Sequence, residues 1–491
     1  MFAPSKYQQE VFRFIREERG NGFVEAVAGS GKTTTIVESL SKIPSHYKVL
    51  FCAFNKHIAN ELARRVPSNV EASTLNSLGM KVLCKNYRYI KIDPEKIDKI
   101  LFFEILNRDN TLKWQVSPAI IQLISLAKSY CVYSSADLIS KLDWFINRFD
   151  INLPSKIDRD QFIDILVETF NKSINKTSVV DFNDQLYFPI YKNLQFNRYD
   201  LVMVDEAQDL NPIQIEMIKE LSRFGRIIAV GDRNQAIYGF RGSDPEAVLS
   251  LTDALDATIL PLSICYRCGK NIVNSAKEIV PQIESSELAP EGEIRSIDIE
   301  QLHEEVSSGD YILCRVTADL IKECLKFIKD GKKAIVLGRN IGESLISLLE
   351  KIKETNGKDF PEKLHNYYEK VSAKLIQYNQ TNKLMILQDK CDCLIVLYSR
   401  ALELGKDANA IPDIIEDIFS DEKSSITLTT IHRAKGLESD KIFILRPDLL
   451  PHPMASQDWE IQQENNLKYV AITRAKKELI WVNGTRKKET K

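Results

Sequence analysis

Apolar and polar positions change rhythm several times along the chain. Between about residues 21 and 83, short apolar runs alternate with stretches of helical spacing. GFVEAV reads as a buried strand, KTTTIVESL as a helix, YKVLFCAF as a strand and NKHIANELARRV as a helix. Strands alternating with helices predict a parallel sheet, because a parallel neighbour is reached only through a crossover. From 90 to 180 the pattern turns helical, as KIDKILFFEILNR and PAIIQLISLAKSY illustrate, and no strong strand signal appears. The strand rhythm returns with YDLVMVDEA near 199 and continues through RIIAVGD and ATILPL. A second set follows in YILCRV, KAIVLG, SITLTTI, KIFIL and ELIWV, broken by a helical stretch at 342–420. The expectation is an α/β chain with two parallel-sheet domains, each carrying a helical insertion.

Composition changes this picture little. A chain of 491 residues exceeds what one core usually serves, so several domains are expected. Hydrophobic residues at 44% and charged residues at 27% are the balance of a soluble globular protein. The first twenty residues scatter charge and lack an apolar signal core, and no window reaches the apolar length of a membrane span. Nine irregularly spaced cysteines fit reduced thiols better than a disulfide framework, which points to the cytoplasm and to no membrane. A net charge of −2 implies that any nucleic-acid contact is a local basic groove, not a basic surface at large. The tail TRKKETK reads as a frayed basic end.

Two motifs carry chemistry. AVAGSGKTTT follows a strand and opens a helix, so its backbone amides can cradle phosphates at a helix N-terminus. Lys32 would reach the outer phosphates and the Thr33 hydroxyl would hold Mg²⁺. The pattern is that of a phosphate-binding loop with Ala26 at the first glycine position. In LVMVDEAQD, four apolar residues end in two carboxylates, at the strand end where ligands bind in open α/β sheets. Asp205 would hold the Mg²⁺ shell, and Glu206 would position and deprotonate the attacking water. In GDRNQAIYGFRGSD, polar groups suited to a phosphate precede aromatics suited to a base. CYRC and CDC could supply four thiolates, but burial as small apolar groups is the preferred reading. RNIGESL could begin a phosphate-contacting helix or an ordinary one.

In order along the chain, these and further motifs resemble the UvrD/Rep/PcrA-like helicases of superfamily 1. The resemblance implies two RecA-like motor domains. The first would take 1–88 and 181–263 around a helical insertion at 89–180, with DFNDQL marking the return. The second would take 264–341 and 421–491 around a shortened helical insertion at 342–420. KYQQEVF resembles the adenine-reading motif, with Gln8 on the base, and AGSGKTT places Gly29, Ser30, Gly31 and Thr34 beside Lys32 and Thr33 at the nucleotide. ICYRC puts Tyr266 on adenine and Arg267 on the γ-phosphate, with Cys265 where relatives carry asparagine. TTIHRAKGLES assigns Gly436 and Glu438 to the nucleotide and Thr430 and His432 to DNA; YVAITRAKKEL makes Arg474 the arginine finger. AFNKHIANEL brings Phe54 to single-stranded DNA, and TLNS brings Thr74 and Asn76, the latter in place of a histidine. Gln235 would sense the γ-phosphate while Tyr238, Phe240 and Arg241 meet DNA, coupling hydrolysis to a step along the strand. Any base offers a face for such stacking.

The implied activity is ATP-dependent translocation on single-stranded DNA, 3′ to 5′, with strand separation or protein displacement and with ATP and Mg²⁺ as cofactors. An alternative is a DNA-stimulated regulatory ATPase that signals to a partner such as a nuclease. A replication, repair or defence factor is a further candidate partner. Thr34 replaces an arginine common beside the adenine, which loosens the expected nucleotide preference.

Overall fold

The computed structural model describes residues 4–53, 56–64, 66–149, 151, 153–154, 157–237, 251–253, 255–353, 355, 357, 359–377, 381–421 and 426–484. The chain divides into two compact units. One comprises Met1–Ala26 with Gly31–Leu262, the other Val27–Ser30 with Ser263–Lys491.

The first unit is built on six strands: β1 (Gly22–Ala26), β2 (Val49–Cys52), β3 (Val70–Ser73), β4 (Leu201–Val204), β5 (Arg226–Gly231) and β6 (Thr258–Leu262). They lie in the order β3-β2-β4-β5-β1-β6, every pairing parallel. VLFC and LVMV are buried throughout, because helices cover both faces of such a sheet. Successive residues serve opposite faces. Val49, Phe51, Leu201 and Met203 pack with Val11, Phe14 and Ile36. Leu50, Val202 and Val204 join the larger core that reaches into the insertion.

The insertion is helical, with helices Asn110–Ser129, Ser135–Arg148 and Arg159–Asn175. It also holds one short strand pair, Lys91–Ile92 with Val179–Val180. Two residues are too few to leave a period in the sequence. A buried charge cluster ties the insertion to the returning chain. Lys96 and Lys128 each place Nζ 2.7 Å from an Asp184 oxygen, and Lys128 reaches Asp181 at 3.3 Å. Desolvation pulls the Lys96 ammonium down to about 8 despite Asp184 beside it.

Among the described residues the main sheet of the second unit has seven strands: β7 (Glu293–Asp298), β8 (Tyr311–Cys314), β9 (Ala334–Leu337), β10 (Phe419–Ser420), β11 (Ile426–Thr430), β12 (Ser439–Leu445) and β13 (Ala475–Asn483), beside a separate short pair, Ile264–Cys265 with Glu284–Ser285. Their order is β7-β13-β12-β8-β11-β9-β10, again all parallel. Helices Arg339–Lys353, Phe360–Gln377, Thr381–Glu403 and Ile411–Ile418 form its helical stretch. Gly342 lies inside the first of these helices. A Cβ there would come within 2.7 Å of Ile415, so this glycine serves helix packing, the ordinary reading of RNIGESL. Cys391 and Cys393 are buried in the apolar core. No helix among the described residues is long and apolar enough to cross a membrane.

Candidate nucleotide and nucleic-acid site

The loop after β1 leads directly into helix Lys32–Leu40, the strand–loop–helix order that the sequence predicts. Gly29 and Gly31 take φ of 69° and 77°, left-handed values that a side chain would resist. Ser30 Oγ is buried and has no hydrogen-bond partner among the described residues. Thr33 and Thr34 are exposed on the helix's first turn.

Three consecutive strands of the first sheet, β4, β5 and β1, end at this chemistry. Lys32 Nζ lies 3.2 Å from each carboxylate oxygen of Glu206, just past β4. Burial alone would pull the ammonium down. Glu206, Asp232 and Asp205 outweigh it and hold Lys32 above the ordinary lysine value. Asp205 is buried and pushed up to about 6, first by desolvation and then by Glu206 beside it. Asp232, at the end of β5, is pushed up to about 6 by burial. Glu206 itself sits at φ 52°, a strained backbone for a non-glycine residue.

Two glutamines organise the carboxylates. Gln208 donates through Nε2 to Glu206, and its Oε1 accepts the backbone N–H of Asp232 at 3.0 Å. This needs Gly231, since a Cβ there would approach Gln208 Oε1 to 2.7 Å. Gln235 is buried and donates to Asp232 at 2.6 Å. On the first helix, Gln8 accepts from the Ser5 N–H at 3.0 Å and donates to Thr35 Oγ1 at 2.9 Å, which in turn donates to the Gly31 carbonyl. Gln8 therefore reaches the loop through Thr35. Gln208 and Thr35 carry no role in the sequence reading, and Asp232 enters it only as one of the polar groups of GDRNQ. The signal available for Gln208 and Asp232 was their place inside DEAQD and GDRNQ.

The nucleic-acid candidates of the first unit divide. Thr74 caps helix Leu75–Asn86, accepting from the Ser77 N–H. Asn76 Nδ2 donates to the Phe182 carbonyl at 2.9 Å and to Gln185 Oε1 at 3.1 Å, so its amide nitrogen braces the returning DFNDQL segment. Phe54, Tyr238, Phe240 and Arg241 lie outside the described residues.

In the second unit, Tyr266 is 45% exposed. Arg267 Nε lies 2.6 Å from Glu438, whose other oxygen is 2.8 Å from Lys476. Burial works to raise the Glu438 carboxyl, but Lys476 and Arg267 outweigh it and hold it below the usual range. Arg474 is buried, donating to the Val470 and Leu437 carbonyls and to Thr473 Oγ1. Thr430 ends β11, and its carbonyl accepts the Arg433 and Ala434 N–H groups. His432 is half-buried in the turn that follows, and Gly436 closes that turn at φ 88°.

Parallel sheets with a glycine loop, an ammonium and paired carboxylates at adjoining strand ends have the layout of a P-loop nucleoside triphosphatase. The profile of the UvrD/REP helicase N-terminal domain matches residues 7–256, and that of the UvrD-like helicase C-terminal domain matches 340–483. The chain belongs to the UvrD/Rep helicase family. It is similar to the ATP-dependent DNA helicase PcrA of Staphylococcus epidermidis, 24% identical over 619 aligned positions covering 96% of this chain and 82% of the relative. The Staphylococcus aureus protein of that name is also 24% identical, with the same coverage. The F-box DNA helicase protein 1 of Schizosaccharomyces pombe is 24% identical over 93% of this chain and 55% of its own.

Proposed function

We propose that the chain is an ATP-driven motor that translocates 3′ to 5′ on single-stranded DNA and separates strands or displaces bound protein. The observation that carries this reading is the Lys32–Glu206 pair, set among Asp205, Asp232 and Gln235 at three adjoining strand ends. Lys32 exchanges its carboxylate partner for phosphate oxygens when ATP enters. Glu206, oriented by Gln208, then accepts the proton of the attacking water. Gln235 senses the γ-phosphate through its anchor on Asp232. Gln8 reads the base and Tyr266 stacks on it, with Gly436 and Glu438 at the sugar side. Arg267 and Arg474 supply positive charge to the phosphate in the transition state.

The chain's residues fit a divalent cation. One ammonium faces three carboxylates, two of them pushed up by burial, and a buried serine hydroxyl in the loop has no hydrogen-bond partner among the described residues. Mg²⁺ would be held by Thr33 and Asp205 and would supply charge that neutralises the phosphates. We assign 1–88 with 181–263, and 264–341 with 421–491, to the two motor domains, and 89–180 and 342–420 to their insertions. DNA is contacted by Phe54, Thr74, Asn76, Tyr238, Phe240, Arg241, Thr430 and His432. The alignment to the Staphylococcus epidermidis relative runs to 619 positions against 491 residues here, so that relative carries segments this chain lacks; we assign the shortening to the insertion at 342–420.

The test is ATP hydrolysis measured without nucleic acid and with single-stranded DNA, duplex DNA or RNA, followed by unwinding of substrates with 3′ or 5′ tails. Stimulation by single-stranded DNA and unwinding from the 3′ tail are expected. Equal rates in all four conditions would refute the motor, and preference for the 5′ tail would refute the polarity.

A further inference from the structure

Three loops of the first unit meet where its strands begin. Lys48 precedes β2, Arg198 and Tyr199 precede β4, and Arg223 and Phe224 precede β5. Glu206 and Asp232 follow β4 and β5 at the opposite ends of those strands. Between helix Leu75–Asn86, helix Pro212–Leu221 and the loop before β4 lies a groove of about 50 Å³. Leu78, Val82, Phe196 and Leu221 line it with apolar surface, and the exposed Lys81 and Lys85 stand at its rim one helical turn apart.

The surroundings of the groove are cationic, and the carboxylates among them are already engaged. Glu71 accepts from Lys81 Nζ at 2.5 Å and from the Tyr199 hydroxyl at 2.7 Å. Burial works to raise the Glu71 carboxyl, but Lys81 and Tyr199 outweigh it and hold it below the usual range. Asp200 accepts the backbone N–H of Lys48 at 2.7 Å. Lys48 Nζ lies 4.9 Å from the centre of the Tyr199 ring. The Arg198 guanidinium lies 4.2 Å from the ring of Phe224, which is 63% exposed. Arg223 approaches the same ring at 5.9 Å and keeps only a loose 3.7 Å pair with Glu220. Among the described residues no carboxylate comes within ion-pairing distance of Lys48, Lys85 or Arg198. On a chain of net charge −2 this is a local concentration of positive charge, with apolar surface at its centre.

We propose that this face docks an acidic peptide segment of a partner protein. The segment seats one short aliphatic side chain in the groove and lays its carboxylates along Lys85, Arg198 and Lys48. The size of the groove favours a peptide over nucleic acid. A cavity of about 150 Å³ accommodates benzene, so one of about 50 Å³ takes a side chain such as valine and excludes a base. In an extended peptide, neighbouring side chains point to opposite sides. One aliphatic residue then points into the groove while its acidic neighbours reach the cations on either rim. Phe224 adds an exposed ring beyond Arg198, the kind of aromatic and arginine surface on which interfaces concentrate. The strands are parallel, so their starting ends lie away from the ends that carry Glu206 and Asp232. A segment docked here leaves Lys32 and Glu206 unobstructed. The face is thus a tether, and it attracts its partner less as salt rises.

The full chain is titrated into a fluorescein-labelled peptide, Asp-Glu-Asp-Val-Asp-Glu-Asp, at low ionic strength, and anisotropy is read. Saturable binding is expected. It should weaken about tenfold when the peptide's valine is replaced by serine, the loss of one buried aliphatic side chain. It should weaken by about tenfold or more in the double variant Lys85→Glu, Arg198→Glu, where attraction becomes repulsion. Thermal melting by circular dichroism checks that this variant folds. Lys85→Gln with Arg198→Gln, which adds no repulsion, should lose about threefold and serves if the first variant melts early. Saturating ATP with Mg²⁺, or a short oligothymidine, should leave the peptide bound. No saturable binding, or equal binding by wild type and both folded variants, overturns the proposal. Equal affinity for the valine and serine peptides overturns the groove as the anchor. Displacement by oligothymidine, with oligothymidine binding lost in the same variants, makes the face a nucleic-acid site and overturns the peptide.

Discussion

Replacing Glu206 with glutamine separates two things the carboxylate does. It neutralises Lys32 from 3.2 Å, with both side chains mostly covered at 13% and 26% exposure. At an effective dielectric of about 20 the gross attraction at this distance is about 5 kcal/mol. Most of it offsets desolvation, so the pair is worth about 1 kcal/mol net. An entering phosphate must displace Glu206 from Lys32 and recovers a similar attraction itself. Glu206→Gln removes that competition, and ATP should bind about fivefold tighter, the equivalent of about 1 kcal/mol. The same change removes the group that takes the water proton, and kcat should fall by about 10²–10⁴-fold. Phosphate release at saturating single-stranded DNA gives kcat, and anisotropy of a fluorescent ATP analogue gives affinity. A variant with wild-type kcat, or one that binds ATP tenfold more weakly, would refute the reasoning.

Other expectations follow from particular contacts. Asp232 has a folded-state pKa of about 6, raised from 3.8 by burial, so it favours the folded chain less and less as pH rises through that window. Asp232→Asn should therefore gain stability over wild type by about 1–2 kcal/mol between pH 5 and pH 8. Urea unfolding at the two pH values measures this, and a gain in the opposite direction would exclude the assignment. Asp184→Ala leaves two buried ammoniums facing Asp181 alone, and should cost about 3–5 kcal/mol in chemical denaturation; a loss below about 1 kcal/mol would mean the cluster contributes little. Thr35→Val removes the acceptor of the Gln8 amide. The preference for ATP over GTP should narrow by up to about tenfold, with maximal hydrolysis preserved; unchanged discrimination would detach Gln8 from the base.

Much of this architecture was legible because its signals are local. A strand, a glycine loop and a helix fall within twenty residues, and LVMV runs straight into its carboxylates. Parallel order followed from alternation alone. Contacts made through space left no such trace. The Gln208–Asp232 link joins residues 24 apart and the Gln8–Thr35 link residues 27 apart, with nothing in either spacing to announce them. Nothing local to Lys96 or Lys128 marks either as buried, yet both pair in the interior with Asp184, 88 and 56 residues away. Strand β7, EIRSID, was missed because an edge strand carries polar residues on its open side, which erases the apolar run. The contact of Cys268 with the Thr473 carbonyl, more than 200 residues on, was equally invisible.

The order of the first sheet also sets a problem for synthesis. β2 needs β4, and Val49 waits for Leu201, roughly 150 residues later. β1 needs β5 and β6, both later still. A ribosome adding about 5–20 residues per second takes roughly 8–30 s to cover that gap. During this interval the insertion can assemble on local helix contacts, while one edge of β2 and both edges of β1 stay unpaired. Apolar strands with open edges recruit other chains. A message truncated anywhere between codons 90 and 200 thus yields a fragment without a centre to its sheet, and even after the DEAQD strand emerges the edges of β1 stay open until β5 and β6 follow.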